Sequence, residues 1–444
     1  MFGELYFLAL VCASALSAIV IPVDQEDAPL ILTPFIENGE TENAKTQSTV
    51  DPSLFAGVNS HAAYFTVDKI RKWNLFFWFF PAQGVDLEST PLIIWLQGGP
   101  GGSSLFGLFN EIGPIRIVNN TVEKMPITWG SSYSLLFIDN PVGTGFSFTE
   151  GGEYATNEDE IGACLLSFIQ QFLLVFPELR KAPLFIAGES YAGKYIPAFG
   201  HYIHNNQNES MPINLKGLAI GDGWIDPPSL QHYSEWALQV GLLDPEQAEV
   251  VHKMEEQARW FWDVGNYDAY DQISRIAYSI FLSYAPVNNY NYLLDIEETD
   301  IQFETFLNRP DVQNALHVKK REFTGLNNDV RMHLDPEIYD TVKPWLEELL
   351  EYYGVMCYNG QLDVIVAYAL SVHTYRSLNW SGAEAYRAAK RTRLTHADDA
   401  TFSSFVKASG NFMDVMVRGA GHMVPADKPR AAKQIMDLFI MKFK

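Results

Sequence analysis

Short apolar runs recur along the 444-residue chain, each bounded by glycine, proline, asparagine or aspartate. AAYFTV and NLFFWFF flank a charged turn, which is the pattern of a hairpin. LIIWL (Leu92–Leu96), SLLFID (Ser134–Asp139), LFIA (Leu184–Ala187), LKGLAIGD (Leu215–Asp222), VMCYNG (Val355–Gly360) and DVMVRGAG (Asp414–Gly421) are continuously apolar. Strands covered on both faces have that character, as in a mostly parallel sheet. Segments with helical periodicity, such as EDEIGACLLSFIQQFLLVF, lie between them. The alternation predicts an α/β fold: a doubly wound, mostly parallel central sheet flanked by helices.

From Asp226 to about residue 300 the alternation stops. Asp244-Pro-Glu-Gln247 reads as an N-cap, a proline at the first helical position and a capping-box partner. Val250, Val251, Met254, Ala258 and Phe261 then share one predicted face. Tyr270, Ile273, Ile276, Ala277, Ile280 and Tyr284 mark a second amphipathic helix. This stretch reads as a helical insertion on the sheet domain. The N-terminal run LYFLALVCASALSAIV ends among small residues, with Ala13 and Ala15 fitting a cleavage site and Ala18 a second one. Its n-region carries Glu4 and no basic residue, so a retained signal-anchor is the alternative. The expected organisation is a signal peptide at 1–18, a flexible leader or pro-segment at 19–50, a first core part at 51–225, the helical insertion at 226–302 and a second core part at 303–444.

Composition narrows the function. Hydrophobic residues at 47% and charged residues at 19% describe a folded chain with a large core. A formal charge of −23 argues against a nucleic-acid or acidic-membrane partner, which calls for a basic face. Apart from the N-terminal run, no segment is long and apolar enough to span a bilayer, so no stable span is expected after signal removal. Of three cysteines, Cys12 leaves with the signal, and Cys164 and Cys357 are expected to be buried free thiols. Sequons begin at Asn119, Asn208 and Asn379, consistent with a secretory route and glycosylation.

The stretch GESYAGKY, Gly188 to Tyr195, carries the chemistry. Its glycines imitate a phosphate-binding loop, but Tyr195 stands where that loop needs Ser or Thr for the metal ion. Centred on Ser190, it is a strand–serine–helix elbow whose final glycine is replaced by Ala192. An elbow needs an acid and then a histidine later in the chain. Asp363 follows VMCYNG and His422 follows DVMVRGAG, so each lies past the carboxyl end of a predicted strand, where open α/β sheets place their catalytic groups. QGGPGGSS, Gln97 to Ser104, follows LIIWL and is suited to supply an oxyanion donor from its backbone. His201 and His204 have helical i, i+3 spacing without a further ligand and read as packing or surface residues. No metal or cofactor pattern is apparent.

WLQGGPGGSS, FIDNPVGTGFS, GESYAGKY, YNGQLD and GAGHMVP resemble, in order and spacing, the signature segments of serine carboxypeptidases, which have the α/β-hydrolase fold. The likeness runs from about residue 54 to the C-terminus and is greatest to the vitellogenic and vitellogenic-like branch. The resemblance implies a serine-type carboxypeptidase that releases C-terminal residues at acidic pH through an acyl-enzyme on Ser190. It implies His422 as general base, Asp363 as its orienter, and the backbone N–H groups of Gly99 and Tyr191 as the oxyanion hole. Gln97, Gly98, Glu111 and Glu189 match the groups that hold the substrate's terminal carboxylate, the two glutamates sharing a proton. Gln97 departs from the family's usual Asn, and Gly102 stands where many members have a disulfide cysteine. Peptide or protein C-termini are the expected partners of a monomer or homodimer that is secreted or lysosomal/endosomal. The alternatives are a catalytically silent secreted or yolk-associated binding protein, which a fluorophosphonate probe would not label, and an acyltransferase, whose products would depend on an added acceptor.

Overall fold

The computed structural model describes residues 28–208, 210–295 and 302–444. In chain order the strands are β1 (Thr49–Val50), β2 (Ser60–Asp68), β3 (Trp73–Phe80), β4 (Leu92–Leu96), β5 (Ile115–Val118), β6 (Thr121–Lys124), β7 (Ser134–Ile138) and β8 (Phe148–Thr149). They continue with β9 (Leu184–Glu189), β10 (Leu215–Gly221), β11 (Gly354–Gly360), β12 (Thr392–Thr395), β13 (Phe402–Ser409) and β14 (Phe412–Val417). Twelve of them form one sheet in the order β1-β2-β3-β7-β4-β9-β10-β11-β14-β13-β12, with β8 pairing β3. The run from β7 to β14 is parallel throughout, and the strands on either side are antiparallel. The fold is that of an α/β hydrolase.

The continuous apolar runs follow from this arrangement, because both faces of the sheet are covered. Along β3, Trp73, Leu75, Phe77 and Phe79 enter the core on one side, with Ile161, Phe168 and Phe172 of α4 (Glu158–Val175). Phe76, Trp78 and Phe80 enter the core on the other side, with Ile435 and Phe439 of the C-terminal helix Pro429–Phe443. The aromatic run FFWFF is thus buried strand, as its character implied.

The helices used below are α1 (Thr33–Glu37), α2 (Thr41–Gln47), α3 (Leu105–Asn110), α4, α5 (Ala192–Asn205), α6 (Tyr233–Gln239), α7 (Pro245–Asp263) and α8 (Tyr267–Tyr284). Residues 28–50 correct the expectation of a flexible leader. Leu32 N–H donates to Tyr64 O at 2.9 Å, β1 pairs with β2, and Leu32, Ala44 and Val50 are fully buried. Thr33 Oγ1 donates to Gln171 Oε1 at 2.7 Å, and Lys45 meets Glu178 at 2.6 Å, fastening α1 and α2 to the α4 region. Two short helices with a few buried side chains leave no readable periodicity, which is why the segment looked structureless. The expected signal peptide, 1–18, lies outside the described residues.

Between β10 and β11 the chain leaves the sheet and builds α6, α7 and α8. Asp244 caps α7 with both halves of the capping box. The buried rows differ by a fraction of a turn from those expected. On α7 they are Ala248, Val251, Glu255 and Ala258, and on α8 Tyr270, Ser274, Ala277 and Phe281. Val250, Ile276 and Tyr284 are exposed. Glu255 is buried because its carboxylate accepts from the Ser234 N–H and hydroxyl. This sub-core, with Tyr233, Trp236 and Phe281, packs directly against Val364, Val366 and Leu370, the segment that follows β11.

Candidate active site

The predicted site residues converge on the carboxyl-end edge of the parallel strands. β4 leads into Gln97 and Gly98, β9 carries Glu189 and leads into Ser190, β11 leads to Asp363, and His422 follows β14. Glu111 comes from the end of α3. Ser190 has φ +63°, the left-handed conformation of a strained strand-to-helix elbow. Its backbone is fastened on both sides. Ser190 N–H donates to Gly221 O at 2.9 Å, and Ser190 O accepts from the N–H groups of Gly193 and Trp224 at 2.9 Å each. Gly98 lies against this elbow so closely that a Cβ there would sit 2.5 Å from Tyr191 N and 2.6 Å from Ser190 Cβ. The first glycine of QGGPGG is thus needed for close approach. It brings the Gly98–Gly99 backbone beside the Tyr191 amide, which stands ahead of α5 and has no intrahelical acceptor.

His422 Nδ1 and Asp363 Oδ2 are 2.9 Å apart, with side chains 2% and 0% exposed. Asp363 is held by the N–H groups of Ile365 at 2.9 Å and Val366 at 3.2 Å. The His422 N–H donates to Tyr290 O at 2.7 Å, so the segment after α8 also locates the imidazole. Burial pushes the His422 pKa down, but the Asp363 carboxylate and then Glu189 push it up, and the net direction is up. Nε2 is buried without a hydrogen bond, Ser190 Oγ included. Such contacts commonly tighten only when substrate is bound.

On the other side of Ser190, Gln97 Nε2 donates to Glu189 Oε1 at 2.7 Å, and Trp95 Nε1 donates to Gln97 Oε1 at 2.8 Å. The tryptophan thereby fixes which end of the amide faces Glu189. Glu189 Oε2 and both Glu111 oxygens are buried without a partner. Burial pushes Glu189 up to about 7, against the pull of His422 and Gln97. Burial raises Glu111 well above the usual carboxyl range, and the neighbouring Glu189 charge adds to it. The two carboxyls therefore hold at least one proton under mildly acidic conditions.

Three further groups support the site. Asp139 Oδ1 accepts from Ser103 Oγ at 2.5 Å and Oδ2 from Phe146 N–H at 2.9 Å, which anchors the glycine-rich loop to the chain after β7. Tyr290 lies with its ring 5.4 Å from that of His422. Asp222, the last residue of LKGLAIGD, was not singled out from the sequence, although the strand-end rule that selected Asp363 and His422 applies to it equally. Asp222, Asp363 and His422 offer ligand-type atoms within 4.8 Å of one another. The Nδ1–H of His422 is committed to Asp363, so that nitrogen offers no lone pair to a cation. His201 and His204 lie away from this cluster and meet Glu348 and Tyr353. Asn119, Asn208 and Asn379 are exposed. Cys357 is buried and Cys164 only partly so, and both are free. Among the described residues no helix is long and apolar enough to cross a membrane.

Residues 52–442 match a protein family described as serine carboxypeptidase. The chain is 39% identical over 438 residues to the probable serine carboxypeptidase CPVL of Homo sapiens, covering 94% of this chain and 91% of that protein. It is 38% identical to the vitellogenic carboxypeptidase of Aedes aegypti, covering 93% and 90%. Among solved structures, Kex1Δp, a prohormone-processing carboxypeptidase from Saccharomyces cerevisiae, superposes with a TM-score of 0.81 at 26% identity, covering 90% of this chain and 96% of that one.

Proposed function

The chain belongs to the serine carboxypeptidase family and is a hydrolase acting on peptides from the C-terminus, and on that premise we propose how its residues divide the work. Ser190 Oγ attacks the last peptide carbonyl while His422 Nε2 takes its proton. The N–H groups of Gly99 and Tyr191 receive the developing oxyanion. His422 then returns the proton to the departing amine, leaving an acyl-enzyme on Ser190 that water hydrolyses by the same route. Asp363 holds the imidazole in the tautomer that keeps Nε2 free to accept.

The substrate's terminal carboxylate is held by the Gln97 amide, the Gly98 N–H and the protonated Glu111–Glu189 pair. The observation that carries this reading is the buried Asp363–His422 pair at 2.9 Å, on the same strand-end edge as the Ser190 elbow. A carboxylate site made partly of carboxyl groups works only while it keeps a proton, so the enzyme acts at acidic pH. Ser190→Ala is expected to abolish both hydrolysis of a blocked dipeptide at mildly acidic pH and fluorophosphonate labelling. Persistent hydrolysis overturns the assignment.

The helical insertion, taken as 226–302 between core parts 51–225 and 303–444, forms one wall of the substrate cleft beside Asp363 and His422. Glycans are carried at Asn119, Asn208 and Asn379, and the protein travels the secretory route to a secreted or lysosomal/endosomal location as a monomer or homodimer. The exposure of the three sequons supports this, and mass analysis before and after deglycosylation tests it.

A further inference from the structure

One buried carboxyl group in the site is used by none of these steps. Asp222 directly follows β10, in a left-handed conformation, φ +42°, and is fully buried. Its N–H donates to Tyr358 O at 2.7 Å, and its Oδ1 accepts from Gly360 N–H at 2.9 Å. Both ties are to β11, the strand that delivers Asp363. Its Oδ2 is buried with no hydrogen-bond partner, in the cluster that contains Asp363 and His422. Strain at this backbone position, together with one bond that fixes the backbone and one that aims the carboxyl group, indicates a side chain placed for its neighbours.

The two carboxyls differ in what they accept. Asp363 takes three donors, the N–H groups of Ile365 and Val366 and His422 Nδ1, whereas Asp222 takes one. Two buried carboxylates in contact do not both ionise, and the proton settles on the one with fewer donors. We propose that Asp222 is a positioning residue that stays protonated and donates its Oδ2 hydrogen to the Asp363 carboxylate, completing that carboxylate's set of donors and fixing its plane toward His422. The inference rests on the triad reading given above.

The groups facing Asp222 agree with this. They are Asp363, Glu189, Tyr358 and Tyr375, with His422 in the same cluster. The tyrosines are neutral and Glu189 is a further acid, so the one cation able to form there, the His422 imidazolium, is already matched by Asp363. Burial, then the Asp363 charge, raise Asp222 well above the usual carboxyl range.

Fluorophosphonate labelling of Ser190 tests the proposal without involving the carboxylate clamp, since the probe has no C-terminus. Asp222→Ala is expected to lower the labelling rate about 10- to 100-fold, and Asp222→Asn, which donates the same bond, to recover most of it. The midpoint at which labelling rises with pH reports His422. With Asp222 neutral in the native enzyme, Asp222→Asn leaves this midpoint within about 0.3 units, whereas removal of an ionised Asp222 would lower it by about 1 unit or more. A midpoint that drops, or an Asn variant as slow as the Ala variant, overturns the proposal. An infrared difference spectrum, native minus Asp222→Asn at mildly acidic pH, is expected to contain a protonated-carboxyl C=O band. Its absence also overturns the proposal. Failure of the native enzyme to label at all would instead refute the role of Ser190, while the infrared band would still report on Asp222.

Discussion

Glu111 and Glu189 keep three oxygens buried without a protein partner, next to a glutamine amide turned by Trp95. An incoming terminal carboxylate is the complement of that arrangement so long as the pair carries a proton. With Glu189 pushed up to about 7 and Glu111 also well above the usual carboxyl range, both chiefly by burial, the pair is protonated under mildly acidic conditions and begins to lose its protons as pH passes neutrality. The KM for a peptide with a free C-terminus is therefore expected to climb as pH passes neutrality, while an amidated peptide shows no such climb. Parallel curves for the two substrates would refute the clamp. At Asp363 the expected effect is on kcat. Asp363→Asn presents an N–H to His422 Nδ1 and forces the wrong tautomer, for a loss of about 10⁴ in kcat with KM nearly unchanged. Ser190, Asp363 and His422 were legible because each follows an apolar run that ends in a turn. Glu111 follows a six-residue helix without a pattern of its own, and only the family resemblance pointed to it. Asp222 is also at a strand end, but nothing in the letters LKGLAIGD separates a supporting carboxyl from an ordinary turn aspartate.

At the scale of elements, the strands were legible and the helix faces only approximately so. A strand buried on both sides announces itself by continuous apolarity, whereas a helix face is read from a few positions and shifts when a polar residue is buried. Ser274 and Glu255 occupy core positions on α8 and α7, so a pattern drawn from apolar residues alone rotates away from the true face. Paired substitutions separate the two readings. Phe281→Ala, at a fully buried position, is expected to cost about 3–5 kcal/mol, while Ile276→Ala, at an exposed one, costs under about 0.5 kcal/mol. Urea midpoints measure both. The segment 28–50 failed to announce itself for a related reason: its order comes from docking onto β2 and α4, which are distant in sequence, and propensity does not record that.

For the molecule as a whole, buried ionisable groups set the stability profile. Asp139, Glu158 and Glu189 are each raised to about 7, first of all by burial. A group whose folded pKa is raised contributes stability that is present below its unfolded pKa and lost as pH rises through the folded one. The window for these acids is thus about 4 to 7, and each contributes on the order of 3–4 kcal/mol across it. His61 and His232, lowered to about 4, act oppositely, their contribution fading as pH falls from 6.5 toward 4. Between these limits the acids outnumber the histidines, so Tm is expected to be a few degrees higher at pH 5 than at pH 8, as calorimetry would measure. The architecture was readable from strand and helix alternation, but the pairing of β10 with β11 across the helical excursion was not, because adjacency in a sheet leaves no trace in local sequence. That pairing has a consequence during synthesis. β10 emerges from the ribosome with one edge open and waits for more than a hundred residues before β11 covers it. His422 is made close to the end, so a nascent chain presents an exposed strand that needs shielding and, on the triad proposed above, gains its proteolytic capacity only when translation is nearly complete.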